Sequence, residues 1–416
     1  MKPESRRLIQ TGLVWLCRLV AGTTFIISGW SKSIDPWGFT IKIGEYLNVW
    51  GLSVPHEAIV AAAVSLACVE FCTGVMLCVG SLKRTSAIIA ATMMAVMLPL
   101  TVYIAVANPV ADCGCFGDLW YISNGATLAK NIVLTAAIVY LLFNNSKVSG
   151  LYATPVQWLT IIAALAFPLF LSMEGYHIQP LVDFRPYKIG TPVFVGEKGA
   201  ASEDGYVYER AGEQRVFTLD ELPDSTWTFV SALEPSEDVE FDGPFEVRNS
   251  DGDDVSDEFT EGRQMFVIVP EPTMHYLIYG HYVNRLARWA ERSEIGFAAV
   301  LGGTQSQMER WADWTRPPFD IYTADATALK QMVRGREAII YVEDGDIVWK
   351  RTLSSMPKNL PEEDADAAVR LAAPDDGHLH TVAGLIFLAW MIVVYLLSLS
   401  PRLIKLFTRI IALIQH

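Results

Sequence analysis

The loop between two long apolar segments of this chain reads Asp112-Cys113-Gly114-Cys115-Phe116-Gly117. Two cysteines one residue apart therefore lie where a membrane helix ends and water begins. A thiol pair in such a place can form a disulfide, exchange disulfides with a partner or bind a soft metal ion. The neighbouring glycines let the backbone adopt the turns that a Cys-Gly-Cys ring requires. The loop thus places a chemically active pair at the surface of a membrane protein.

The composition divides the chain into two parts. Of its 416 residues 51% are hydrophobic, and its mean hydropathy of +0.28 is too high for an ordinary soluble enzyme. Residues 174–376 hold 39 of the 46 acidic residues and 19 of the 32 basic residues, a net charge of −20, while the remainder carries +6. We therefore expect a membrane body with basic flanks and an acidic soluble domain. Its acidity argues against nucleic acid and anionic lipid as partners of that domain.

Six segments have the length and apolar character of membrane-spanning helices. They lie at about 8–30, 57–80, 85–107, 126–144, 153–173 and 379–400. With six spans, all the basic clusters in the short loops and tails fall on one side: Arg6 and Arg7, Lys83 and Arg84, Lys147, and Arg402, Lys405 and Arg409. The positive-inside rule then places both termini in the cytoplasm. The predicted loop at 31–56, the cysteine loop and residues 174–378 then face outward.

Two ionisable residues are predicted to lie deep in the spans. Arg18 and Glu70 are each ten residues from the inner end of their segment, a depth of about 15 Å. An unpaired charge there costs at least about 2.5–3.5 kcal/mol, so we expect the two side chains to form an ion pair. Glu70 either locks the bundle or lines a cavity for a quinone or a proton path. Lys130, near the outer end of its span, is expected to extend to water and to have no catalytic role.

The cysteines differ in their predicted roles. Four fit apolar packing inside the spans, namely Cys17, Cys68, Cys72 and Cys78. Cys113 and Cys115 are the candidate catalytic residues, because a thiolate is the nucleophile of disulfide exchange and a small strained ring is easily reduced. The nearby Asp112 and Asp118 would raise their pKa. No histidine lies near enough in sequence to complete a ligand set, so no metal site is predicted.

The soluble part has its own pattern. Between 190 and 265 short β-type stretches alternate with turns, and after 264 strands alternate with helices. We predict strands at 265–269, 297–301 and 321–323, helices near 273–293, 304–314 and 325–333, and a hairpin of 338–342 with 347–351. This order resembles a thioredoxin-like core. However, Glu271-Pro272-Thr273-Met274-His275-Tyr276 follows the first strand without a Cys-x-x-Cys motif, so binding a partner is the expected task of this domain.

Residues 13–143 resemble the four-helix DoxX/MauE family of membrane proteins, in the version common in Bacteroidetes-type bacteria. The resemblance lies in Arg18, in Phe25-Ile26-Ile27-Ser28-Gly29-Trp30-Ser31-Lys32, in Asp35-Pro36-Trp37-Gly38, in Glu70-Phe71 and Gly74, in Asp112-Cys113-Gly114-Cys115-Phe116-Gly117-Asp118, and in Lys130-Asn131. It implies a four-helix bundle associated with extracytoplasmic thiol chemistry, of a methylamine-utilisation or quinone-linked type. It covers about a third of the chain and names no substrate.

The predicted fold class is a mostly α membrane protein with an extracytoplasmic α/β domain. It comprises a DoxX/MauE-like four-helix bundle (1–148), a fifth span (149–176), a β-rich segment (177–263), a thioredoxin-like domain without Cys-x-x-Cys (264–378) and a sixth span with a cytoplasmic tail (379–416). The expected location is the bacterial inner membrane, with residues 174–378 in the periplasm.

Two functions of different class remain open. The first is a membrane thiol–disulfide oxidoreductase, or an accessory to one, that uses Cys113 and Cys115. Its expected partners are a periplasmic thiol protein and the lipid bilayer, with a membrane quinone as candidate cofactor bound near Glu70 or Arg18. The second is a non-catalytic scaffold whose outer domain docks an envelope partner. A small-solute transporter is disfavoured, because the spans lack paired interrupted helices.

Overall fold

The chain divides into two units, Met1–Val182 with Asp375–His416 and Asp183–Pro374. The computed structural model describes residues 3–107, 113–120, 122–177, 183, 185–194, 206–210, 213–217, 228–232, 245–272, 279–333, 335, 337–362, 366–372 and 381–399. The predicted basic tail, Asp112 and the start of the helix near 273 lie outside these residues. Each unit has its own fold.

The first unit is helical throughout its described spans. Its helices are α1 (Pro3–Ile34), α2 (Pro36–Val49), α3 (His56–Val79), α4 (Lys83–Ala107), α5 (Asn124–Asn144), α6 (Gln157–His177) and α11 (Thr381–Leu399). Six of these helices, all but α2, are long and apolar enough to cross a membrane, as found among the described residues. The predicted multi-pass membrane protein is thereby confirmed, with spans that begin and end within a few residues of the predicted positions.

The segment after the first span differs from the prediction. We expected a loop from residue 31, but α1 continues to Ile34 and α2 begins at once. The carboxylate of Asp35 caps α2 by accepting a hydrogen bond of 2.9 Å from the backbone N–H of Gly38, and Pro36 occupies the first helical position. Both are strong helix-start signals. With 32 residues, α1 is about 48 Å long and exceeds the roughly 30 Å of bilayer hydrocarbon.

Glycines bring α1 and α3 into backbone contact. A Cβ atom at Gly29 would lie 2.4 Å from the backbone nitrogen of Phe71, and one at Gly22 would lie 2.8 Å from the carbonyl oxygen of Gly74. Small residues at such positions let membrane helices pack closely. This contact sets the register of the two helices, so that the C-terminal part of α1 lies beside the middle of α3.

The fifth and sixth spans pack onto the same bundle. Phe71 of α3, Phe167 of α6 and Phe387 of α11 form a ring cluster with centroid distances of 4.8–5.6 Å. The hydroxyl of Tyr152, before α6, donates to the backbone carbonyl of Met391 in α11 at 3.0 Å. The two additional spans are therefore part of the first unit.

The second unit contains an α/β sheet. Its strands are β4 (Arg263–Val269), β5 (Gly296–Leu301), β6 (Asp320–Thr323), β7 (Ala338–Glu343) and β8 (Asp346–Thr352), in the spatial order β6-β5-β4-β7-β8. The pairs β4–β5 and β5–β6 are parallel, whereas β4–β7 and β7–β8 are antiparallel. Helices α7 (Gly280–Arg292), α8 (Gln305–Thr315), α9 (Ala326–Met332) and α10 (Ala367–Arg370) connect or follow the strands.

Side chains from both faces of this sheet are buried. Along β4, Met265, Val267 and Val269 pack into one core, and Phe266 and Ile268 pack into the other, as the alternation of a strand dictates. The hairpin of β7 and β8 turns at Asp344-Gly345, where both residues have positive φ, as a type I′ turn requires. A separate three-stranded antiparallel sheet has the order β2-β1-β3, from β1 (Tyr206–Arg210), β2 (Glu213–Phe217) and β3 (Thr228–Ala232).

Candidate functional site

The two cysteines of the loop face each other. Their Sγ atoms lie 3.0 Å apart, and both are free thiols. Cys113 is buried and Cys115 is partly buried. The intervening Gly114 has a φ of +67°, a conformation that glycine adopts without a steric penalty. The sulfurs need to approach by only about 1 Å to reach the bonding distance of a disulfide.

Helices α1 and α2 hold the cysteine loop through its backbone. The hydroxyl of Ser28 lies 2.6 Å from the carbonyl oxygen of Cys115, and the hydroxyl of Tyr46 donates to the carbonyl oxygen of Cys113 at 3.0 Å. The Ser28 hydroxyl also lies 2.8 Å from Oε2 of Glu70. A hydroxyl has one proton to donate, so Ser28 donates to one of these two oxygens at a time. Its hydroxyl lies between the cysteine loop and the carboxylate in α3.

Glu70 forms a buried ion pair with Lys32. The Lys32 Nζ donates to both carboxylate oxygens at 2.8 Å, and the two side chains are 0% and 3% exposed. The ammonium also lies 4.6 Å from the ring centre of Phe39, which adds a cation–π contact. We did not predict this partner, because Lys32 was assigned to a loop. Lys32 lies four residues after Ser28, and residues four apart lie on one face of a helix. This spacing was the sequence signal that could have placed Lys32 beside Ser28.

The predicted pair of Arg18 with Glu70 is wrong. The Arg18 guanidinium donates to Oδ1 of Asn145 at 2.6 Å and to the carbonyl oxygens of Asn145, Val148 and Ser149 at 2.9–3.0 Å. Our depth estimate assumed that α1 spans only the apolar segment. Because α3 ends at Val79 and the next residue, Gly80, lies beside Arg18, this arginine lies ten residues along the chain of α3 from Glu70. Arg18 therefore stabilises the opposite end of the bundle and lies away from the thiols.

A small cavity lies beside the cysteine loop. Its volume is about 40 Å³, and the residues that line it include Ser28, Glu70, Cys115, Lys130 and Asn131 together with three methionines of α4, Met93, Met94 and Met97. This volume accommodates water molecules, whereas a cavity of about 150 Å³ is typical for binding one benzene ring. The cavity as it stands has no room for a quinone ring beside Glu70.

The surroundings make the two thiols unequal. The hydrogen bond from Cys113 lowers the pKa of the Cys115 thiol to about 6, and the positive charges of Lys130 and Lys32 act in the same direction against burial and Glu70. The hydrogen bond with Cys115, together with burial, raises the pKa of the Cys113 thiol. We had predicted raised pKa values for both thiols. That prediction considered only the nearby Asp112 and Asp118. It did not include Lys32 and Lys130, which come from distant parts of the sequence.

The remaining sequence predictions concern side chains outside the cavity. Cys72 is buried, and Cys17, Cys68 and Cys78 are partly buried in the helices, as packing residues are. Asp112 and the side chain of Asp118 lie outside the described residues. Within the described part of the chain, no group of three His, Cys, Asp or Glu side chains is placed to bind a metal ion.

Comparison with known proteins gives a match for the part of the chain that holds the thiols. Residues 10–144 match the family model described as methylamine utilisation protein MauE. Residues 205–233, which include β1 to β3, match a domain of unknown function, DUF8463. A search of curated proteins gives no match.

One solved structure is similar to the chain at a low level. The bacterioferritin comigratory protein of Xanthomonas campestris is 11% identical, and the alignment covers 37% of this chain and 93% of that chain with a TM-score of 0.22. At this TM-score the likeness carries no argument about fold or activity. The MauE match supports a MauE/DoxX-like membrane family for the four spans that hold the cysteine pair.

Proposed function

We propose that the first four spans form a membrane thiol–disulfide redox module, or an accessory to one, in which Cys113 and Cys115 exchange disulfides with a partner protein. The observation that carries this proposal is the pair itself, with Sγ atoms 3.0 Å apart and a pKa of about 6 for Cys115. A thiol with that pKa is mostly thiolate at neutral pH, the reactive form in disulfide exchange. The family match to a methylamine-utilisation protein is consistent with this function.

The exchange reaction follows from the inequality of the thiols. The Cys115 thiolate attacks one sulfur of a partner's disulfide, forms a mixed disulfide and releases the other partner sulfur as a thiolate, which takes a proton from water. Cys113 then loses its proton, attacks the Sγ of Cys115 and releases the second partner thiol. The chain becomes oxidised by two electrons and the partner is reduced. The reverse sequence oxidises a dithiol partner. A quinone acceptor would have to react from outside the 40 Å³ cavity.

The proposed location of the module is the bacterial inner membrane, with the cysteine loop and the second unit on the periplasmic side. The support is the charge pattern of the sequence, since basic residues flank the opposite ends of the spans. An oxidising compartment suits a pair that cycles between thiols and disulfide. Both termini are then cytoplasmic.

The second unit has the role of a docking domain. The support for this role is the strand order β5, β4, β7 and β8, with β4 parallel to β5 and antiparallel to β7, the order expected of a thioredoxin-like core to which β6 is added. Residues 183–374 contain no cysteine. This unit therefore contributes recognition of the partner, and the thiol chemistry belongs to the membrane loop.

Single-cysteine variants test the exchange. Cys113→Ser keeps a hydroxyl that can donate to Cys115 and removes the resolving thiol, so it should accumulate a covalent, reductant-sensitive adduct in growing cells. Cys115→Ser should accumulate less, because the remaining thiol has a raised pKa. The double variant should form none, and Cys72→Ser, a buried packing residue, should behave as the unmodified protein.

Non-reducing electrophoresis and trapping with a membrane-impermeant maleimide measure these outcomes. If neither single variant forms an adduct and both thiols stay reduced, the module is not an oxidoreductase. The non-catalytic scaffold would then be the better account, with the cysteine loop as a structural feature.

A further inference from the structure

Lys130 occupies an unexpected position for a lysine at the outer part of a span. It lies six residues after Asn124, the first residue of α5, or about 9 Å along the helix axis. Its Nζ lies 4.3 Å from the ring centre of Phe116, the residue that follows Cys115. The side chain lines the same cavity as Cys115 and Glu70. The side chain, which is partly exposed, thus also contacts the cysteine loop.

The other charges at this cavity cancel each other. Lys32 and Glu70 form a pair with Nζ–Oε distances of 2.8 Å, so together they leave little net charge. Lys130 adds one positive charge to the cavity wall. An ammonium at this depth is favourable only with a partner that compensates its charge, and the Phe116 ring provides part of that compensation. A thiolate on Cys115, across the same cavity, would provide the remainder.

We propose that Lys130 stabilises the Cys115 thiolate in addition to the contact with Cys113, with Phe116 holding the Lys130 ammonium toward the cavity. The Lys32–Glu70 pair then has a different role: it fixes the wall to which Ser28 attaches the loop. This assignment rests on the proposed thiol–disulfide function and adds to it a charged residue that favours Cys115 as the attacking thiol. It predicts that the charge of Lys130, rather than its size, determines the reactivity of Cys115.

The pH profile of Cys115 alkylation tests this role. Iodoacetamide labelling of the full chain in detergent is followed by peptide fragmentation, which separates modification of Cys115 from that of Cys113. In the unmodified protein the labelling rate should rise with pH with a midpoint near 6, the pKa of Cys115. Lys130→Met should raise that midpoint by about one to three pH units, the effect of removing an opposite charge nearby. Lys130→Arg should restore it.

Two further variants separate charge from structure. Lys130→Gln removes the charge but retains a polar side chain, and it should show the same upward shift if the methionine variant does not fold. Lys42→Met is the matched control, because Lys42 also lies near the loop but its ammonium is paired with Glu45 at 2.9 Å. Its midpoint should equal that of the unmodified protein.

The outcomes distinguish this inference from the function on which it rests. An unchanged midpoint in Lys130→Met or Lys130→Gln, or an equal shift in Lys42→Met, would overturn the role of Lys130. A shifted midpoint together with no mixed disulfide in Cys113→Ser would instead support the role of Lys130 and overturn the exchange function.

Discussion

At the scale of single residues, the central feature is an ion pair in the middle of a membrane bundle. Lys32 and Glu70 are almost fully buried. The Glu70 carboxylate also contacts the hydroxyl of Ser28, which lies within hydrogen-bond distance of the cysteine loop. Removing charges from water is unfavourable, so such a pair is stable only when both partners are present and hydrogen-bonded. Because the desolvation of both charges offsets their attraction, the pair adds little net stability to the fold. We therefore assign it the role of positioning the cysteine loop through Ser28.

Lys32→Met alone and Glu70→Gln alone should each destabilise the bundle by about 3–5 kcal/mol, because each leaves one charge buried without its partner. The double variant should recover much of this loss. Thr73→Val is the matched control on α3, since its buried hydroxyl has no described hydrogen-bond partner. Denaturant titration in detergent gives the free energies of unfolding. Strictly additive losses would show that the two side chains do not interact.

The sequence predicted some of these residues and not others. Cys113, Cys115 and Glu70 were identified because a cysteine pair in a loop and a carboxylate in a span are unusual in any context. Lys32 was assigned to a loop, and Lys130 was expected to extend to water. Their roles depend on the register of α1 against α3 and on the fold of the cysteine loop, and neither can be derived from spacing within one helix.

At the scale of secondary-structure elements, the glycine contact between α1 and α3 determines that register. A side chain at Gly29 would meet backbone atoms of Phe71 and Ala67 at 2.4 and 2.7 Å, and backbone cannot move aside as a flexible side chain can. Gly12, on the same helix, has nothing within 4 Å of its added Cβ. Of these two glycines of α1, Gly29 is buried against α3 and Gly12 is exposed.

Gly29→Ala should therefore destabilise the bundle by about 1–3 kcal/mol, the usual cost of overpacking. Gly12→Ala should be neutral or more stable by up to about 1 kcal/mol, because alanine favours a helix over glycine. Unfolding of the two variants in the same detergent measures the difference. Equal stabilities would mean that α1 and α3 are not in backbone contact at Gly29.

Elements were predicted well where one physical signal dominates. Long apolar segments gave the six spans within a few residues, and alternating short strands and helices gave β4 to β8. Helix α2 was missed, although Asp35 and Pro36 are ordinary start signals, because a charged stretch after a complete span was interpreted as a loop. The thickness of the bilayer led us to end the first span at residue 30, but α1 is longer than the bilayer requires.

At the scale of the whole molecule, the two parts of the chain carry opposite net charges, −20 over residues 174–376 and +6 elsewhere. The acidic residues are concentrated in 174–376, whereas nine of the 13 basic residues outside that range lie at the junction of α3 and α4, between α5 and α6, and at the termini. Short-loop lysines and arginines determine orientation, while long acidic domains are translocated largely regardless of charge. The proposed topology therefore depends on a few residues at the helix ends.

Reporter insertion tests that topology. Alkaline phosphatase inserted in the exposed turn near Asp251 should be active, because this enzyme folds only in the oxidising compartment, and green fluorescent protein there should be dark after export through the Sec pathway. The same reporters inserted near Ser149, between α5 and α6, should give the opposite result. This second position is the control, because it lies one span away from the first. An active phosphatase near Ser149, or a fluorescent protein near Asp251, would place the acidic unit in the cytoplasm, where a cysteine pair is kept reduced and the proposed exchange has no oxidising partner.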